Sequence, residues 1–507
     1  MKNYEVITNT VKETYMIVSK YIISLAAAAV LFTSCSKELQ RVNINPNNLE
    51  TPDAATLLSN TIVSEFYNNA SISWTLANGY NQYMTFSSSY YDQPTRYSPV
   101  SNSPYWTAMY EAARDANTLY NTGVKKSSPF LQAAALALRS YAFAQLTELW
   151  GDIPFTQALE GATGSYTPPY DGQQTVYTDA GAGIIPSLRR ADSLLKANPS
   201  GLLGGDLLFN ANVASWRRFI NALRLRYLLR VSAKMDPSTE MQAIVSDGML
   251  MQNAGQSAAL TLPTTTPYNF PSLTERTGDF QVKYMNSLLY NTFVNTGDSA
   301  RIQAYFAKNP NNASKTDFNF SYFGGMPMVI DADGTQVATS SNFNATFVSG
   351  ANKSLVKARL ITYAEQELIL AEAAVKGFIG GDAQTWYNNG VNGAFAEIGI
   401  TDATGPNYLG HSAVAFDNST SAASLQQIIT QKWLVNIDNG FEGWIEFRRT
   451  GYPALVSGGS ASLNNGAIPT RFLYPTDEVT INAKNYRTEV ANMGGSEITT
   501  YKAWWEK

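Results

Sequence analysis

PFLQAAALALRSYAFAQLTELWGDIPFTQAL, residues 129–159, is the stretch that decides the fold. Leu131, Ala135, Leu138, Ala142, Leu146 and Leu149 fall at steps of three and four. That spacing lines one face of a helix of about five turns. Small alanines between them let a second helix approach closely. The helix must stop at Trp150-Gly151-Asp152-Ile153-Pro154, because Gly can take a positive φ at a C-cap and Pro cannot continue a helix. Taken alone, the stretch is a buried helix with an ordinary C-terminal turn.

Further helices flank it. Thr51-Pro52-Asp53 holds good helix-start residues and predicts a helix over about 53–69. Trp106, Met109, Tyr110 and Ala113 predict one over about 104–121. After Pro168, Pro169 and Gly172 a helix resumes over about 173–195. SWRRFINALRLRYLLRVSAK predicts another over 215–233, with Trp216, Phe219, Ile220, Leu223, Tyr227 and Leu228 at helical spacing. Its Arg217, Arg218, Arg224, Arg226 and Arg230 could form a polyanion site, but long stems covering apolar surface or pairing with carboxylates fit better. In LITYAEQELILAEAAVKGFIGGDAQTWYNNGVNGAF, 360–395, Leu370 and Ala371 are followed by Ala383, Tyr387 and Gly390. Those offsets match the skeleton of a tetratricopeptide repeat. Several such pairs would stack into a curved scaffold. SLQQIITQKWLVNIDNGFEGWIEFRRTGYP, 424–453, reads as a helix ending near Asn439-Gly440, then a shorter one.

Two segments lack a sustained apolar period. Residues 70–104 carry seven aromatics and three prolines among many Ser and Asn, and read as a long ordered loop. Residues 254–350 are rich in Thr, Asn, Gly and Pro, with one predicted helix near 278–291. Within them Asp331-Ala332-Asp333-Gly334 is half of a calcium loop, and lacks the further ligands an EF-hand needs. It reads as a turn, and no metal or cofactor is expected.

The chain starts with an export pattern. Lys20 and the apolar run Tyr21–Phe32 read as a signal peptide over residues 1–34, too short to span a bilayer comfortably. Residues 1–15 include Glu5 and Glu13 and no apolar run, so Met16 is an alternative start. Cys35, the only cysteine, follows Phe32-Thr33-Ser34 and resembles a bacterial lipobox, though Leu is preferred where Phe32 stands. If acylated, Cys35 anchors the chain through lipid without spanning the membrane. Residues 35–52 form a polar tether, and 53–507 one large domain. A single cysteine forms no intrachain disulfide. With 36 Lys plus Arg against 40 Asp plus Glu, the net charge of −4 argues against a nucleic-acid partner.

LTELWGDIPFTQAL, SWRRFINALRLRYL, the repeat at 360–395, QKWLVNIDNGFEGWIEFRRTGYP and IPTRFLYPTDEVTIN, in this order behind a lipobox-like start, resemble the SusD/RagB outer-membrane lipoproteins, in the SusD-like branch. The resemblance implies a mainly α fold: a tetratricopeptide-like scaffold of helical pairs, with long irregular loops forming a second lobe. It implies a surface lipoprotein of a Gram-negative outer membrane that captures an oligosaccharide, or in some branches a peptide. Its partner would be a SusC-like, TonB-dependent β-barrel, over which it lies as a lid.

Other function classes stay open at this level. Forty acids leave a glycosidase conceivable, since that needs only two carboxylates at suitable separation. Glu365 and Glu372 share a helix face, but Arg448 and Arg449 would hold both ionised in a buried network. The only histidine, His411, sits in a loop-like stretch with no nucleophile motif nearby. The reading is a binding protein, not an enzyme; a scaffold that binds only proteins is the other alternative. A capture site needs rigid stacking faces beside groups that hydrogen-bond hydroxyls. The 70–104 segment offers Trp74, Tyr80, Tyr83, Tyr90 and Tyr91 with Asn78, Asn81, Asp92 and Arg96. Tyr268, Asn269 and Phe270 are a second choice.

Overall fold

The computed structural model describes residues 53–90, 94–200, 204–264, 266–400 and 404–506. Cys35, the tether, Tyr91 and Asp92 lie outside them.

The first helix, α1 (Ala54–Ile72), leads to the hairpin of α2 (Ser103–Lys125) and α3 (Pro129–Trp150). Ser128 caps α3 by accepting from the Leu131 amide at 3.4 Å, and Pro129 takes the first turn, where its missing N–H costs nothing. The hairpin closes tightly: a β-carbon on Gly123 would lie 2.9 Å from the Gln132 nitrogen. Gly151 ends α3 at φ 91°, a conformation only glycine adopts without strain. The predicted single apolar face is exceeded. Only Pro129, Gln132 and Arg139 of α3 escape burial, because neighbours pack on every side.

Beyond α3 come the short α4 (Gln173–Thr178), then α5 (Ile184–Ala197), α6 (Val213–Arg230) and α7 (Ser238–Asp247). The one helix read over 173–195 is therefore two, because Asp179 turns the chain by accepting from the Gly181 and Ala182 amides. α3 packs against α1, α2, α5 and α6. In the middle region the main helix is α8 (Ser287–Thr296), later than read, because a strand occupies 283–285. Asp333 caps a short helix with Gln336 in a capping box, so its motif is the expected turn.

The repeat is α9 (Tyr363–Val375) and α10 (Ala383–Glu397). Its glycines set the spacing: a β-carbon on Gly390 would lie 2.6 Å from Leu368 Cγ, and one on Gly393 2.8 Å from Tyr363 Cδ1. α9 also packs on α6 and on α11 (Ser421–Val435), which meets α12 (Glu442–Thr450). The architecture is thus a mainly helical, tetratricopeptide-like scaffold. Among the described residues, strands occur as three two-stranded antiparallel pairs. β1 (Met84–Phe86) lies on Lys283–Met285, and Ala258–Leu260 on Ala358–Ile361; these join the irregular middle to the helices. The described residues from Ala54 onward form one compact unit with a large core and a smaller one around Leu368, Ala371 and Tyr387.

The expected loop at 70–104 is partly a helix. α1 runs through a π turn (Ser73–Ala77) and a last helical turn (Asn78–Tyr80) into β1. The Ser and Asn content that resembled a solvated loop is satisfied internally. Asn69 Nδ2 donates to Asn439 Oδ1 (3.0 Å), Asn78 Nδ2 to Asp438 Oδ1 (3.1 Å) and Asn81 Nδ2 to the Gly440 carbonyl (2.7 Å). Together these amides pin α1 to the turn between α11 and α12.

Four of the five arginines named in α6 pair with carboxylates. Arg217 and Arg224 meet Asp192 at 2.7 and 3.4 Å. Arg226 grips Glu365 at 2.7 and 2.6 Å. Arg230 donates to Glu148 (2.7 Å), Glu442 (2.7 Å) and Glu446 (2.8 Å). Arg449 holds Glu372 at 2.6 and 2.7 Å, and Lys432 reaches Glu446 at 2.9 Å. Arg448 instead pairs with Glu506 at 2.7 Å. The network expected around Glu365 and Glu372 is real, but Glu365's partner is Arg226 rather than Arg448.

Candidate functional site

The sequence candidates separate into buried and surface groups. Trp74 is 1% exposed. Its ring is covered by Phe343 and Phe347, at centroid distances of 5.0 and 5.5 Å, and by the Lys283 ammonium at 4.6 Å. Its indole N–H donates to Glu275 at 3.0 Å. Tyr80 is enclosed by Tyr97, Phe441, Trp444 and Phe472. Tyr83 donates to the Trp433 carbonyl at 2.5 Å. Asn78 and Asn81 are buried in the amide pins described above. These five residues stabilise the core and present no face to a ligand. The correction has one physical cause: an aromatic and amide mixture is what a wet surface needs, and also what a buried helix end needs to satisfy its backbone groups. Of the second choice, Asn269 and Phe270 are buried, while Tyr268 is exposed with its ring edge-on to Tyr67 at 5.4 Å.

Tyr90 behaves oppositely, at 81% exposed. It stands on a ridge stitched from three loops. The Ser89 amide donates to Asp331 Oδ1 at 2.9 Å, and the Ala332 amide to the Ser87 carbonyl at 2.9 Å. Gln82 Nε2 donates to the Val456 carbonyl at 2.6 Å, and the Val456 amide returns to Gln82 Oε1 at 3.0 Å. Arg96 Nε donates to the Ala461 carbonyl at 2.7 Å, and the Leu463 amide to the Arg96 carbonyl at 2.7 Å. Gly458 sits so close to Met328 that a β-carbon there would collide with its sulfur. The loops are therefore held by hydrogen bonds that each engage a backbone group, and the ridge is preorganised.

On the loops so joined, Ile330 is 50% and Val456 56% exposed, which leaves apolar surface on them. Hydrogen bonds from the Ser89 amide and hydroxyl hold the Asp331 carboxyl below its ordinary range, so it is charged at neutral pH. Apolar faces beside fixed polar groups suit a ligand with alternating hydrophobic and hydroxyl surfaces. Ile330, Val456 and Leu463 were missed in the sequence. The available signal was weak: branched apolar residues within Gly-, Ser- and Asp-rich turns, where no helix or strand would bury them.

Glu365 and Glu372 are each clamped by an arginine. His411 lies exposed in its loop. Among the described residues no group of His, Cys, Asp and Glu could hold a metal ion, and no helix is long and apolar enough to cross a membrane.

A family model described as SusD-like, starch-binding associating with outer membrane, matches residues 46–475. A SusD homolog from Bacteroides fragilis superposes with a TM-score of 0.77 at 24% identity, covering 90% of this chain and 99% of that one. An outer-membrane protein from Bacteroides vulgatus, described provisionally as involved in nutrient binding, gives 0.77 at 27% identity over 90% and 100%. A chitin-binding SusD homolog from Flavobacterium johnsoniae gives 0.71 at 21% identity over 88% and 98%. No curated protein sequence matches. The match over most of the chain and the shared helical architecture place this protein in the SusD-like family of outer-membrane-associated binding proteins.

Proposed function

We propose that the protein captures an oligosaccharide at the cell surface on the Tyr90 ridge and delivers it to a SusC-like, TonB-dependent barrel. In this reading acylated Cys35 tethers it to the outer membrane. The observation that carries the proposal is the exposed Tyr90 ring on loops joined by hydrogen bonds between side chains and backbone groups. A rigid exposed ring loses little entropy when a sugar face stacks on it. Support also comes from the family's starch-binding description and from the chitin-binding relative. Tyr91, Asp92 and Arg96 flank this ring in the chain and remain part of the proposed contact region.

Calorimetry with maltohexaose and chitohexaose tests it. Tyr90→Ala should weaken binding by about 1–3 kcal/mol, roughly tenfold or more, by analogy with aromatic stacking in single-strand recognition. Unchanged affinity in folded Tyr90→Ala would move the site elsewhere. Binding of peptides but neither sugar would reassign the ligand class. Product release from either sugar would revive hydrolysis.

A further inference from the structure

A groove of about 670 Å³ lies between α2 and the segment 154–168. We propose that it is a second oligosaccharide site, built apart from the Tyr90 ridge and able to hold a neutral sugar chain.

The groove's floor is the outer face of α2. Thr107, Glu111, Arg114, Thr118 and Asn121 follow one another at steps of four and three, all exposed. They form one stripe about 21 Å long, which spans several sugar rings. Opposite stands Tyr166, 75% exposed, beside Gly161, where a β-carbon would lie 4.0 Å from the ring's Cε1. Tyr110 and Trp106, 4.9 Å apart, add aromatic surface at one end. Tyr110 is fixed there by donating to the Pro154 carbonyl at 2.7 Å.

The polar groups decide the ligand class. The side chains of Glu111, Thr107 and Asn121 make no hydrogen bond within the described residues, so their donors and acceptors face the groove or solvent unspent. Arg114 is paired with neighbouring Asp115 at 3.0 Å. Glu478, at the end of the groove, already accepts from Tyr170 at 2.6 Å and from Asn482 at 2.9 Å. The groove therefore has neither the concentrated positive charge that a polyanion needs nor a wholly apolar lining that a protein helix would want. Aromatic faces with unspent hydroxyl, amide and carboxylate groups match uncharged polyhydroxyl chains. A volume of this size lies in the usual range for ligand sites.

Trp106 makes the groove directly readable. The full chain is labelled with 5-fluorotryptophan, Trp106→Phe assigns its resonance, and maltohexaose and chitohexaose are titrated to about 10 mM. A saturable shift of the Trp106 resonance that survives Tyr90→Ala, and weakens tenfold or more in Tyr166→Ala or Asn121→Ala, is expected. Calorimetry on Tyr166→Ala then reports the ridge alone, so failure of one site is distinguishable from failure of the other. Three results would overturn the groove. One is no Trp106 shift with either sugar. Another is a shift abolished by Tyr90→Ala. The third is loss of co-purifying barrel in Tyr166→Ala with sugar binding intact, which would give the groove to a protein partner.

Discussion

Replacing Arg230 by Met should expose the energetics of the buried charge network. The guanidinium is fully enclosed and divides its donors among Glu148, Glu442 and Glu446. Glu442 retains Arg226 at 3.4 Å, and Glu446 retains Lys432 and Arg449. Glu148 retains only the Tyr177 hydroxyl at 3.0 Å. Burial already pushes the Glu148 carboxyl up to about 7 against the pull of Arg230. Without that pull it must either protonate or remain as an unpaired buried charge. Breaking a buried pair in this way costs about 3–5 kcal/mol. Taking ~2.1 cal/mol/K per residue over roughly 450 ordered residues gives an unfolding entropy near 0.95 kcal/mol/K, so Tm should fall by about 3–5 °C. Calorimetric melting at neutral pH measures this. Arg230→Met with Glu148→Gln should recover part of the loss, because the orphaned charge is gone. A single variant that melts within about 1 °C of wild type would refute the reasoning.

Other tests address other parts of the molecule. Ala371→Trp should destabilise by about 1–3 kcal/mol through overpacking where α9 meets Tyr387 and Val391; wild-type melting would show that the contact is not close. Glu367 has only the amides of Asn389 and Gln366 as donors, and burial raises its carboxyl to about 7. The folded state then holds its proton more tightly than the unfolded chain, so ionising Glu367 costs stability once pH exceeds the unfolded value and the cost is complete above about 7. Glu367→Gln should be more stable than wild type by about 1–3 kcal/mol near pH 8, with the gap closing near pH 4 in denaturant titrations. Cys35→Ala should release the protein from the membrane fraction, and fatty-acid labelling that still marks the variant would reject the anchor.

Much of the scaffold was legible because helical spacing, Gly-Asp-Ile-Pro and the small residues of the repeat are local signals. Gly390 and Gly393 earn their places through one helix contact that their spacing already announces. The paired arginines of α6 were legible only by class: pairing was expected, yet the partners come from α3, α5, α7, α9 and α12, which only tertiary structure brings together. The site was harder. Trp74 and Tyr90 lie 16 positions apart in one aromatic-rich segment, and nothing in their local composition says that one faces Phe343 and the other solvent. Nor could composition reveal that α2's polar stripe faces a groove, since an ordinary solvated helix face has the same pattern.

The amide pins between α1 and the turn at 436–440 join positions about 360 residues apart, as in Asn78 to Asp438 and Asn81 to Gly440. Closing so long a loop costs entropy before any contact repays it, and contacts of this range slow folding. As the chain leaves the ribosome, α1 therefore waits for the last quarter of it before its inner end has partners. Until then its asparagines must be served by water. Were the export pattern of the first residues to act as a signal, this delay would keep the fold from locking while the chain is still being threaded.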